Sequence, residues 1–202
     1  MKLQVADLNS FYGPAHILFD IALDVSEGEV VALLGRNGAG KSTTFRSIVG
    51  LVENRSGRIV FEGRDVSSEP THAIVRGGLG YVPEERRIFT DLTVDENLEV
   101  GRQPKRPNAP YWTREKLFTL FPNLGEMRNR PGGRMSGGEQ QMLTIARTLM
   151  GNPSLVLLDE PSEGLSPKIV EQMVDAILAM KKEGVSIVVS EQNLHFARLI
   201  SD

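Results

Sequence analysis

Cysteine is absent from the 202 residues, which excludes disulfides and any thiolate metal site. Apolar runs are short. None approaches the roughly 18 residues that a bilayer span requires, so any membrane work must pass through a partner. An excess of charge of one sign is lacking as well, with 23 Lys and Arg against 26 Asp and Glu. A net charge of −3 argues against a protein whose main task is gripping nucleic acid, and no nucleic-acid partner is expected. The N-terminus, Met1-Lys2-Leu3-Gln4-Val5-Ala6-Asp7, carries an early acid and no long apolar core, so it does not read as a signal peptide. What remains is an ordinary globular composition, 40% hydrophobic and 24% charged, long enough to bury one sizeable core.

One stretch organises the chain: Gly35-Arg36-Asn37-Gly38-Ala39-Gly40-Lys41-Ser42-Thr43. It follows the apolar run Val30–Leu34 and opens an expected helix over Lys41–Val49. Strand, glycine-rich loop and helix with this spacing form a phosphate loop. Without Cβ atoms in the way, successive backbone N–H groups can turn inward around a polyphosphate, and the helix dipole adds to the attraction. Lys41 offers a point charge to the β- and γ-phosphates, and Ser42 offers a hydroxyl to Mg²⁺. The chain is expected to bind a nucleoside triphosphate.

The rest alternates strands and helices. Leu3–Leu8 reads as an edge strand, Phe11–Pro14 as the turn after it, and Ile17–Val25 as its antiparallel neighbour. Arg58–Phe61 and Leu79–Val82 read as short strands, with a brief helix over Thr71–Arg76 between them. Thr93 and Glu96 form a capping-box pattern at the start of a helix. Gln103–Pro110 is a proline-rich surface loop, Trp112–Phe121 is helical, and Pro122–Arg134 is loop-rich. Residues 87–135 are therefore expected to form a helical lobe inserted between 1–86 and 136–202. Beyond it come a helix over Gly138–Met150, a strand over Leu155–Leu158 and a long amphipathic helix over Pro167–Lys182. On that helix Ile169, Met173 and Ile177, with Val170, Val174 and Leu178, form adjacent apolar stripes. A strand over Ser186–Ser190 and a helix over Leu194–Ile200 complete the pattern. The expected class is α/β: a phosphate-loop NTPase core with a mainly parallel sheet, an N-terminal antiparallel β portion and the helical lobe.

Two further motifs carry chemistry. Leu155-Val156-Leu157-Leu158-Asp159-Glu160 puts two acids at the carboxyl end of a buried strand. Alone, this is equally a strand that stops at its polar end. Beside a phosphate loop, Asp159 is placed to hold Mg²⁺ through water and Glu160 to orient or deprotonate an attacking water. Met135-Ser136-Gly137-Gly138-Glu139-Gln140-Gln141 starts a helix with a hydroxyl cap and bare backbone, another anion site. In isolation that is a common helix start. One triphosphate rarely needs two such sites, so the second is expected to close over a nucleotide bound to another copy or a paralogue.

The order of phosphate loop, Ser-Gly-Gly motif and apolar strand with Asp-Glu resembles the nucleotide-binding domain of ABC transporters, over nearly the whole chain. The resemblance implies ATP and Mg²⁺ as ligands and a sandwich of two cassettes. In that sandwich each ATP lies between one phosphate loop and the opposite residues Ser136, Gly137, Gly138 and Glu139. It implies integral-membrane permease subunits as partners, a solute-binding protein indirectly, and a place at the cytoplasmic face of the membrane. Tyr12 falls where the family stacks an aromatic ring on adenine. Within the family the chain most resembles the ATPases of branched-chain amino acid importers, with urea- and amide-type relatives close.

That narrower resemblance rests partly on departures from the general pattern. Glu84 replaces a Gln that senses Mg²⁺ and the γ-phosphate, Glu139 another Gln, Ser166 an Asp at the dimer seam, and Gln192 a His near the γ-phosphate. Gln192 can hydrogen-bond a phosphate but cannot become cationic. Glu84 adds negative charge that Mg²⁺, Arg86 or Arg87 must offset. The expectation is ATP hydrolysis with Glu160, Lys41 and Gln192 as catalytic residues and Ser42, Asp159 and Glu84 around the metal. The alternative is a cassette that holds ATP while its partner hydrolyses. Soluble ABC proteins of DNA repair are excluded because the stretch from Lys41 to Ser136 is too short for a coiled-coil insertion, and those of translation because there is one cassette. Relatives continue beyond the Gln192 loop, so the C-terminal end of the family domain is expected to be missing here.

Overall fold

The computed structural model describes residues 1–202. The chain begins with β1 (Leu3–Tyr12), β2 (Ala15–Val25) and β3 (Val30–Leu34), followed by α1 (Lys41–Ile48), β4 (Asn54–Phe61) and β5 (Arg64–Asp65). Next come α2 (Thr71–Arg76), β6 (Leu79–Val82), α3 (Val94–Gly101), α4 (Arg114–Leu120) and α5 (Pro122–Glu126), with a 3₁₀ turn at Gly132–Arg134. The chain closes with α6 (Gly137–Leu149), β7 (Leu155–Asp159), α7 (Pro167–Lys182), β8 (Ser186–Glu191) and α8 (Leu194–Ile200).

The strands divide into two sheets of four, one antiparallel with order β2-β1-β4-β5 and one parallel with order β3-β8-β7-β6. The parallel sheet is buried on both faces, as its unbroken apolar strands require. Alternate residues on β7 serve two different cores. Val156 and Leu158 join the helical side with α6, α7 and α8, while Leu155 and Leu157 join α1 and the antiparallel sheet. On β8, Ile187 and Val189 face the first core and Val188 the second. The expected α/β class holds.

Several local expectations are corrected. β1 is not an edge strand but an interior one, paired with both β2 and β4. Its apolar alternation is weak because the register shifts between Val5 and Leu8 and again after Leu8. Asp7 sits there at φ 52°, and this bulge slips the pattern by a residue. The strand also runs through Phe11 and Tyr12, leaving the turn to Gly13 and Pro14. The helix expected from Trp112 starts at Arg114, because the Thr113 hydroxyl accepts from the Lys116 amide and caps it. The segment Pro122–Arg134 contains α5 and the 3₁₀ turn. On α7 the buried stripe is Met173, Ala176, Ile177 and Met180, whereas Leu178 is exposed.

Between residues 87 and 135 lie α3, α4 and α5. Val94, Leu98, Trp112, Leu117, Phe121 and Leu124 belong to the same continuous core as Val82, Val156 and Leu158. The helices of this segment have no separate core. Its entry loop is fixed by Asn97, which is fully buried. The Asn97 Oδ1 accepts from the Phe89 amide at 3.0 Å, and its Nδ2 faces the carbonyls of Phe89, Leu92 and Thr93 at 3.0, 3.1 and 3.0 Å. Thr93 and Glu96 close the capping box at the start of the same helix. Replacing Asn97 by Leu strands these backbone groups in an apolar setting. The expected loss is about 2–4 kcal/mol, read as a lower urea midpoint at unchanged slope.

Candidate functional site

The site forms where β3, β7 and β8 end on one edge of the parallel sheet. Leaving β3, the backbone curls through Gly38 at φ 82° and Gly40 at φ 92° before entering α1. Both values lie in the left-handed region that glycine alone adopts freely, and a Cβ on Gly40 would press on Leu18 at 2.8 Å. Gly35, Ala39 and Thr43 frame this loop, and Arg36 and Asn37 are exposed on it.

Lys41 is the first residue of α1, and its side chain folds back under the loop. Its Nζ donates to the carbonyls of Gly35 at 2.7 Å and Arg36 at 3.1 Å, and pairs with Glu160 Oε1 at 2.8 Å. Both side chains of this pair are about nine-tenths or more buried. Glu160 itself holds an unusual backbone, φ 48°, which costs a non-glycine residue of order 1 kcal/mol and tends to mark functional positions. The strain is countered because the Glu160 amide donates to the Ser190 carbonyl and hydroxyl, each at 3.1 Å.

Asp159, fully buried, collects hydroxyls from three elements. Its Oδ1 accepts from Ser42 at 3.0 Å and from Ser190 at 2.7 Å, and its Oδ2 from Tyr81 at 3.3 Å. Burial and the Asp159 charge together push the Tyr81 phenol well above its ordinary range, so it stays a donor. Ser42 and Asp159 thus bring hard oxygen ligands to one point, a donor set that suits Mg²⁺. Glu84 is exposed on the loop after β6. Its carboxyl is raised above the usual range by desolvation and by the neighbouring charges of Glu163, Asp159 and Glu160.

Other expected residues lie further out. Gln192 is exposed and donates to Asn37 Oδ1 at 2.6 Å, tying the loop after β8 to the phosphate loop. Tyr12 ends β1 half-exposed beside Arg46 of α1. Ser136 caps α6, and the Glu139 carboxylate reaches back to the Ser136 amide at 2.7 Å, completing a capping box. That bond gives Glu139 a capping task that turns its carboxylate toward its own helix. Neither Ser136 nor Glu139 hydrogen-bonds residues 35–43. Ser190, Tyr81 and Glu191 were not anticipated from sequence. The polar pair Ser190-Glu191 at the end of an apolar strand was the available signal, since such residues emerge where Asp159 does.

A strand–loop–helix cradle with a buried lysine, a metal-type Ser–Asp pair and an adjoining glutamate defines a phosphate-loop nucleoside triphosphatase. Residues 18–163 match the family described as ABC transporter. The high-affinity branched-chain amino acid transport ATP-binding protein BraG of Pseudomonas aeruginosa is 42% identical over 96% of this chain and 84% of its own length. The lipopolysaccharide export system ATP-binding protein LptB of Haemophilus influenzae is 38% identical over 95% of this chain and 80% of its own. A solved structure of the ATP binding subunit of an ABC transporter superposes with a TM-score of 0.83 at 29% identity, covering all of this chain and 84% of that one. The chain belongs to the ABC transporter family and is an ATP-binding cassette ATPase. No helix is long and apolar enough to cross a membrane.

Glu191 offers a test of the site's electrostatics. It is buried, its two oxygens accept from the amides of Ser162 at 3.1 Å and Asn193 at 3.4 Å, and burial raises its pKa. Below the ordinary value of about 4.3 the carboxyl is neutral folded or unfolded and costs nothing. As pH rises through the raised folded value, ionisation favours the unfolded chain. Glu191→Gln does not titrate, so its thermal midpoint relative to the parent should climb as pH rises above about 4.3 and then level off once the folded carboxyl is ionised. Scanning calorimetry across that range checks the sign.

Proposed function

We propose that this chain is the ATP-hydrolysing subunit of an importer for branched-chain amino acids, working as one of two cassettes that close on ATP. The observation that carries the reading is the buried Lys41–Glu160 pair beside Ser42 and Asp159. Lys41 is already on the floor of the loop, so a bound triphosphate can draw its ammonium from Glu160 to the β- and γ-phosphates. The amides of the loop and of the first turn of α1 hold the remaining oxygens. Ser42 and Asp159 are the side chains that would hold Mg²⁺, which neutralises charge on the β- and γ-phosphates. Glu160, released from Lys41, orients a water and accepts its proton. Gln192 reaches the phosphate loop through Asn37 and is assigned a γ-phosphate hydrogen bond, Glu84 a place near the metal, and Tyr12 the adenine. Ser136, Gly137, Gly138 and Glu139 are assigned to the second subunit's nucleotide.

The similarity to BraG supports the solute class. Docking of membrane subunits is supported by a groove of about 450 Å³ between α2, α3 and α6, with Val75, Phe89 and Val100 exposed on its walls. A second reading, an export ATPase, is favoured by the similarity to LptB. Reconstitution with membrane subunits encoded beside this chain separates the two, since uptake of leucine, isoleucine or valine into vesicles is expected only of the importer. The motor reading itself is tested on the purified complex. Glu160→Gln should lower ATP turnover by about 100-fold or more while retaining bound ATP. Lys41→Ala should weaken ATP binding and turnover together. Turnover unchanged by Glu160→Gln would make this chain the ATP-holding half of a mixed pair.

A further inference from the structure

Arg86 stands two residues beyond Glu84, with its backbone at φ 51°. Its guanidinium lies against Gly137, the first residue of α6, where a Cβ would collide with Nη1. Its single hydrogen bond, from Nη2 to the Glu163 carbonyl, is long at 3.4 Å, although a guanidinium carries five donors. No carboxylate pairs with it. Beside it lies a cavity of about 160 Å³ lined only by polar residues and one glycine: Glu84, Arg86, Gln141, Glu160, Glu163 and Gly164. Gln141, 2% exposed, has an Oε1 with no hydrogen-bond partner, an omission that ordinarily costs about 1–3 kcal/mol. Arg86 and Gln141 thus line one cavity, the first with a single long hydrogen bond and the second with a buried Oε1 that lacks a donor.

We propose that Arg86 is a positioning residue with two seats, one on Gly137 and the Glu163 carbonyl as seen here, the other inside this chamber on Gln141 Oε1. The driving force is the cation balance of the chamber. Three of its walls are the carboxylates Glu84, Glu160 and Glu163, and Lys41 currently neutralises Glu160 from the side of the phosphate loop. When a triphosphate claims Lys41, Glu160 loses that counter-charge and polyanionic phosphate arrives nearby. Arg86 is then the one cation lining the chamber, in a setting where charges attract strongly. Its inward move satisfies Gln141 and frees the backbone at Gly137 and Glu163. Nucleotide loading at Lys41 is thereby passed to the start of α6 and to the loop after Glu160. The inference rests on the ATPase activity alone and not on the transported solute or on pairing of cassettes.

Two measurements test it. In the unaltered full chain, the Arg86 Nε–Hε resonance should shift when Mg²⁺ and a non-hydrolysable ATP analogue are added, and Gln141→Leu should abolish most of that shift. A resonance indifferent to nucleotide, while the phosphate-loop amides respond, overturns the proposal. Kinetically, Arg86→Ala and Gln141→Leu should each lower kcat about tenfold with KM for ATP within about twofold, and the double variant should lose no more than either alone. Losses that multiply to about 100-fold mean that the two side chains act separately, and also overturn it. Arg86→Lys should recover part of kcat, because an ammonium keeps the charge but not the planar fork.

Discussion

The ion pair between Lys41 and Glu160 is the constraint on which the site depends. Two opposite charges removed from water are tolerated only as a pair, and removing either strands the other at a cost of about 3–5 kcal/mol. The pair therefore fixes where the phosphate loop and the end of β7 stand relative to each other. Asp159 performs the complementary task with neutral partners. Its hydroxyl donors come from α1, β6 and β8, so the carboxylate ties three elements of the sheet edge together. On the proposed reading, a triphosphate arriving at this edge exchanges one partner of Lys41 for another without having to build the site.

Rigidity of that edge comes from the layers behind it. β7 is flanked by β6 and β8 and is packed against a core on each face. Any displacement of Asp159 along the strand would have to move apolar side chains in both cores at once, and close-packed interiors resist that. The loop after β6 is pinned at Phe89 and Leu92 by Asn97, whereas its first residues and the loop after β7 carry the exposed Glu84, Glu163 and Gly164. The two candidate acids Asp159 and Glu160 are thus anchored at the end of a strand packed on both faces, with exposed loop residues around them.

The sheet, the helices and the phosphate loop were legible in the sequence because each has a strong local cause. Val30–Leu34 and Leu155–Leu158 are unbroken apolar runs, Gly38 and Gly40 sit where the backbone must turn left-handed, and Thr93 and Ser136 cap helices in the expected manner. What sequence obscured was non-local. The interior position of β1 was hidden by a bulge at Asp7, which opposes Gly57 of β4 so closely that no Cβ fits there. The hydroxyl ring on Asp159 was hidden because Tyr81 and Ser190 come from strands far apart in the chain. Arg86 was legible as a charge near Glu84, whereas its seat on Gly137 follows only from the approach of two loops. The capping role of Glu139 required seeing its carboxylate turned back on the helix.

The left-handed backbone at Glu160 also has a meaning for the lineage of this chain. Glycine at that position would relax about 1 kcal/mol of strain and, in the same step, leave the buried Lys41 ammonium without its carboxylate, at a cost of about 3–5 kcal/mol. Selection for a sturdier fold therefore keeps the carboxylate at this codon whether or not selection for turnover is present. A cassette freed from the need to turn over has no downhill path to glycine at residue 160, and the strained carboxylate outlives its chemistry as a structural part.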